Sequence, residues 1–160
     1  ELLPGERELP LAARLLPDAA RLRLGVQFES KDVLGINGIG AGAIGSYHDG
    51  SKRYRIAAID RPNEQSAQDV IKTLKRTEGA SETKGPPPSL TLLVRGASDG
   101  TKSEWVFGRA GRAVIGIGDD EHSGSDRSNP AGRLSSSEKQ AKLTSTLNDV
   151  MKRLPPPTGP

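Results

Sequence analysis

The residues with the most suggestive spacing are glycines. Gly40-Ala41-Gly42-Ala43-Ile44-Gly45 matches the pattern G-x-G-x-x-G, and Asp60 stands 20 residues beyond Gly40 at the end of an apolar run. In a dinucleotide site the glycines let the backbone approach a pyrophosphate, a helix N-terminus faces the phosphates, and the acid holds a ribose hydroxyl. That chemistry needs a helix directly behind the glycines. Only seven residues, 46–52, separate Gly45 from the strand pattern at Arg53, and they include the turn pair Asp49-Gly50. A crossover to a parallel strand needs about ten residues or more, usually a helix. The spacing therefore favours a glycine-rich lead-in to an antiparallel hairpin. Gly40, Gly42, Gly45 and Asp60 form a cofactor-binding set only on the alternative reading, a small-molecule or dinucleotide-binding protein.

The remaining chemical candidates are sparse. Asp119, Asp120, Glu121 and Asp126 make an oxygen-rich, glycine-containing stretch. Asp119, Asp120 and Asp126 are the candidate ligands there, for calcium only. The ligand spacing of an EF-hand is absent, which favours a solvated loop. His48 and His122 are the two histidines, and neither belongs to an H-x-x-x-H or H-E-x-x-H pair. The absence of cysteine excludes disulfides, thiolate metal sites and thiol catalysis. No G-x-S-x-G elbow occurs, and no carboxylate pair can be assigned. No cofactor is expected, and nothing in the chain argues for an enzyme.

Composition narrows the class further. A length of 160 residues suits one domain with tails. At 33% hydrophobic and 3% aromatic residues, the core must be built mainly from Leu, Val, Ile and Ala. The net charge of +3 is spread along the chain with acids between the basic groups, and few aromatics are available for base stacking. Specific nucleic-acid binding needs positive charge gathered on one face, so it is not expected. No segment approaches the roughly 20 apolar residues of a membrane span. The first residue is Glu1 rather than Met, which either a removed export leader or a fragment of a longer chain would explain.

The elements that would position these residues follow from periodicity. Residues 1–21, with three prolines and scattered leucines, read as an extended arm pinned by Leu2, Leu3, Leu9, Leu15 and Leu16. Residues 22–154 read as a single domain. Leu22, Leu24, Val26 and Phe28 alternate as in a strand. A hairpin spans 44–60, with Tyr54, Ile56 and Ala58 on one face and Ala57 on the other. After Pro62, Asn63 suits a helix N-cap, and Ala67, Val70, Ile71 and Leu74 form one helical face, with Gly79 as its stop. Residues 79–89 read as a loop and 90–95 as a strand. A second hairpin surrounds Arg109-Ala110-Gly111, with Trp105, Phe107, Val114, Ile115 and Ile117 inside. Residues 119–134 form a polar loop. A last helix runs from about 136 to 154, with Ser135 and Glu138 at capping-box spacing. Residues 155–160 are a proline-rich tail, and the polyproline runs at 86–88 and 155–157 favour spacers over groove ligands. The order β-β-β-α-β-β-β-α predicts an α+β fold: a mostly antiparallel sheet, two hairpin-plus-helix units, both helices on one face.

The run AGAIGSYHDGSKRYRIAAIDRPNEQSAQDVIKTLKR resembles the C-terminal half of a family of uncharacterised exported bacterial proteins. WVFGRAGRAVIGIGD is similar to that family's later segment, where a glycine-basic turn precedes an apolar strand, and ELLPGE resembles its leucine-proline opening. The resemblance implies an exported α+β domain with no assigned activity or site residues. The resulting expectation is a non-enzymatic binding module or accessory subunit of a periplasmic or cell-surface assembly. Its protein partner would be met through the N-terminal arm and C-terminal tail.

Overall fold

The computed structural model describes residues 16, 21–29, 31–36, 38–49, 52–77, 80–83, 88–95, 102–119 and 134–153. Seven strands form one antiparallel sheet: β1 (Arg21–Glu29), β2 (Gly42–Asp49), β3 (Lys52–Asp60), β4 (Ser81–Thr83), β5 (Ser89–Arg95), β6 (Lys102–Ala110) and β7 (Ala113–Asp119). Their spatial order is β1-β2-β3-β7-β6-β5-β4. Helices α1 (Glu64–Lys75) and α2 (Ser136–Arg153) follow β3 and β7. The α+β class and the antiparallel sheet are those the sequence predicts.

The first hairpin pairs Asp49 with Lys52 and continues to Ala43 opposite Ala58. The second closes on Ala110 opposite Ala113. Gly111 there has φ +58°, the left-handed value that a two-residue hairpin demands at its first central position. Asn63 caps α1 by accepting the Ser66 N–H at 2.8 Å, and Ala67, Val70 and Leu74 are buried beneath it.

The helices lie on opposite faces of the sheet rather than together. Ala57 and Ile59 of β3, Val114 of β7, and Trp105 and Phe107 of β6 share a core with Ala67, Val70 and Leu74 of α1. The alternate residues Tyr54, Ile56 and Ala58, Ala113, Ile115 and Ile117, and Val106 share the other core with Leu143, Leu147 and Val150 of α2. The cause is visible in β7, where all seven residues are buried. A strand buried on both faces needs cover on both, which a one-sided antiparallel sheet would not provide.

Two elements were not expected. β4 lies inside the stretch read as a loop and pairs with the start of β5. Its three residues are all exposed, so it carries no apolar alternation to announce it. A 3-10 turn at Val33–Gly35 places Val33 in the α1-side core.

The α1 face is organised by aromatic rings laid over glycine. Trp105 stands opposite Gly118 and Phe107 opposite Gly116. A Cβ on Gly118 would lie 2.1 Å from Trp105 Cδ2, and one on Gly116 2.5 Å from Phe107 Cε1. The rings stack at 5.8 Å between centroids, and the Arg55 guanidinium sits 5.0 Å from the Trp105 ring. An added methyl must displace a fully buried indole, and overpacking of this kind costs about 1–3 kcal/mol. Gly118→Ala is therefore expected to lower the unfolding free energy by that amount, read as a lower urea midpoint, and to alter the near-ultraviolet signal of Trp105, the single tryptophan. A midpoint equal to wild type would contradict the packing.

Candidate functional site

Gly42 and Gly45 lie within β2, and Gly40 precedes it with φ +79°. No helix follows the run, because β2 turns directly into β3. The backbone around Gly40 is already engaged by this chain. Its N–H donates to Asp32 Oδ1 at 2.8 Å. The Arg61 guanidinium donates to the carbonyls of Ile39, Ala41 and Asp60, and it occupies the space a Cβ on Gly40 would need. Burial lowers the Arg61 pKa while Asp60 opposes the shift. Gly42 approaches the Ala58 carbonyl and Gly45 the Tyr47 ring. These glycines thus admit neighbouring protein atoms. Asp60 faces Arg112, with Oδ1 3.6 Å from Nε.

Asp119 is in a different setting from the expected solvated loop. It is buried at the end of β7, its Oδ2 accepts the Glu104 N–H at 3.1 Å, and its Oδ1 lies 2.9 Å from Lys139 Nζ. Oδ1 has no aligned hydrogen bond, so that contact is ionic. Lys139, only 2% exposed, also donates to Glu104 Oε1 at 3.1 Å, and Ser136 Oγ donates to the same oxygen at 2.9 Å. Burial pushes the Glu104 carboxyl up, but Ser136 and Lys139 outweigh it and the net shift is downward. The carboxylates of Asp119 and Glu104 therefore hold α2 against β6 and β7. Asp120 and Asp126 lie outside the described residues, as does His122. His48 is exposed on β2. No group of three or more His, Cys, Asp or Glu among the described residues could hold a metal ion.

Glu138 completes this end of α2. The capping box forms as its spacing predicts: Ser135 N–H donates to Glu138 Oε1 and Glu138 N–H to Ser135 Oγ, both at 3.1 Å. Lys52 Nζ donates to both Glu138 oxygens, at 2.8 and 2.9 Å. The Lys52 hydrogen bonds, followed by that from Ser135, hold the Glu138 carboxyl down to about 2.

Two surface features have the form of recognition sites. One is a cleft of about 490 Å³ between α1 and the β4–β5–β6 edge. The sequence hid it because one wall is β4. The other is β1, an edge strand on which Val26 is 37% and Phe28 46% exposed. Paired with Gly45 and Ala43, both side chains point to the α2 face of the sheet. Leu16, from the segment read as an arm, is buried in the core on that face. Arg21, the last residue of that segment, opens β1, while its other residues and the tail lie outside the described residues. No family model, no curated protein and no solved structure matches the chain.

Two outcomes follow from the charges around α2. Lys139→Met leaves two partly or fully buried carboxylates without their cation, and breaking such a pair costs about 3–5 kcal/mol. Urea unfolding is expected to show that loss, and adding Glu104→Gln with Asp119→Asn to recover part of it. For Glu138, the folded pKa lies below the ordinary carboxyl value. Its contribution to stability is present above that ordinary value and is lost as pH falls towards about 2. Carboxyl-detected NMR should give a Glu138 midpoint near 2, and Lys52→Met should return it towards the ordinary range.

Proposed function

We propose that this chain is a non-enzymatic binding domain that takes an extended segment of a protein partner along β1, and that it works outside the cytoplasm in a periplasmic or cell-surface assembly. The observation that carries the proposal is the fate of the aromatic residues. The chain has five. Tyr47 and Tyr54 stack across β2 and β3, and Trp105 and Phe107 stack on β6, all four buried. The fifth, Phe28, stands exposed on an edge strand beside Val26. In a protein so poor in aromatics, a ring left on an open strand edge suits the main-chain pairing and side-chain pockets of strand addition. Among the described residues no strand pairs with the outer side of β1.

Supporting considerations come from the charged groups. Glu104, Asp119, Lys139, Glu138 and Arg61 are engaged in holding elements together. Their engagement with neighbouring elements suits a structural role better than a catalytic one. The resemblance to exported bacterial proteins supports the compartment, and no described helix is long and apolar enough to cross a membrane.

A photo-crosslinking amino acid at position 28, with one at exposed Met151 as control, tests the reading in cells that make the protein. One discrete adduct at 28, absent at 151 and abolished by Val26→Asp, is the expected result. Adducts at both positions, or at neither, would remove the proposal. Fractionation of the same cells tests the compartment, and recovery only from the cytoplasm would refute export.

A further inference from the structure

We infer that the cleft between α1 and the β4–β5–β6 edge is a binding site for a small amphipathic anion, a ligand with an apolar body and one carboxylate or phosphate head. This goes beyond the partner reading and is independent of β1. The volume of about 490 Å³ falls within the range of roughly 300–1,000 Å³ typical of small-molecule sites. Its walls divide into two chemistries. Ile71, Pro88 and the edge of Leu90 supply apolar surface over the buried Phe107, while Lys72, Lys75 and Arg109 stand around it with Glu82 the one acid among the described lining residues. Three cations against one carboxylate leave a surplus of two positive charges.

The distribution of contacts says which cations can serve a ligand. Lys75 is taken by Glu82, at 2.6 Å. Arg109 donates one N–H to the Gly111 carbonyl at 2.7 Å, which braces the guanidinium against the β6–β7 turn. Its other N–H groups and the Lys72 ammonium make no hydrogen bond or ion pair with a described residue. A guanidinium braced on one side keeps its fork for a carboxylate or phosphate, and Lys72 adds a second point charge. A neutral apolar ligand would leave both cations unused, and a small inorganic anion would leave the apolar floor unfilled.

Trp105 reports on the site, because Phe107 lines the cleft and stacks on the indole. Titrations with octanoate, octyl phosphate, inorganic phosphate and octanol, followed by tryptophan fluorescence and calorimetry, test the inference. Octanoate or octyl phosphate is expected to bind with a Kd of about 1 mM or tighter. The stronger of the two identifies the head group. Inorganic phosphate and octanol are each expected to bind about tenfold more weakly or less. Lys72→Gln with Arg109→Gln should weaken the amphiphile about tenfold, and Lys72→Gln alone, which breaks no contact with a described residue, should weaken it without moving the unfolding midpoint. Glu82→Gln should tighten it about threefold by releasing Lys75, a gain that loss of structure could not produce. The inference is overturned if neither amphiphile binds, if octanol or phosphate binds equally well, or if the double variant binds like wild type.

Discussion

The fold depends on two rings lying flat on glycine. Trp105 and Phe107 lean from β6 onto Gly118 and Gly116 of β7 because those positions have no Cβ to hold the rings away. The same strand carries Ala113, Ile115 and Ile117 on its other face. β7 is therefore Val114 and two glycines beneath α1 and aliphatic beneath α2, and that asymmetry matches a helix to each side. In a chain with 3% aromatic residues, the α1-side core has no other ring to substitute for these two. Arg55 closes the row, with its guanidinium over Trp105 and its Nε donating to the Asp119 carbonyl at 2.8 Å. The aromatic row thus ends on the residue whose side chain meets Lys139 on the opposite face.

That meeting point explains how α2 is placed. Leu143, Leu147 and Val150 give the helix adhesion to the sheet, but aliphatic contacts alone leave sliding along β6 and β7 weakly opposed. The buried Lys139 ammonium fits only between Glu104 and Asp119, and Ser136 and Glu138 fix the first turn to Glu104 and Lys52. Ionic contacts of this kind contribute more to register than to net stability, because the desolvation of each charge offsets much of the attraction. Gly108 admits the helix closely, since a Cβ there would lie 2.9 Å from Leu147 Cδ1. Apolar packing sets the distance of α2 from the sheet, and the buried charges set its position along it.

The locally encoded features were legible in the sequence. Asn63 with the Ala67, Val70 and Leu74 stripe defines α1, Ser135 with Glu138 defines the start of α2, and the two hairpins follow from alternation, although Asp49, Arg109 and Ala110, expected in the turns, are paired within the strands. Spacing marks the G-x-G-x-x-G run as a strand lead-in, although its actual use, admitting Arg61 and Tyr47, depends on residues that meet only in space. Features set by tertiary contact were hidden. β4 is three exposed residues, and Asp119 sits among acids that composition assigns to solvent. The side taken by α2 depends on β7 being buried on both faces, which its run AVIGIGD leaves open because glycine counts for neither face. The same placement bears on internal duplication. A two-fold axis normal to the sheet between β3 and β7 would relate the two hairpin-helix units but would keep both helices on one face. Their opposite placement is not the product of such an axis.

The two sheet edges differ in a way that bears on recognition. β4 ends one edge with three exposed residues, Ser81, Glu82 and Thr83, short and polar enough to discourage any further strand. β1 ends the other with nine residues. Its register is irregular between Arg21 and Val26, which twists the first part of the strand away from a flat template. The regular part that remains, Val26 to Glu29, is the part bearing Val26 and Phe28. That stretch also ends on a charge, Glu29, as the β4 edge carries Glu82. Among the described residues the β4 rim thus ends in a short polar strand, whereas the β1 rim carries its apolar pair on the regular stretch.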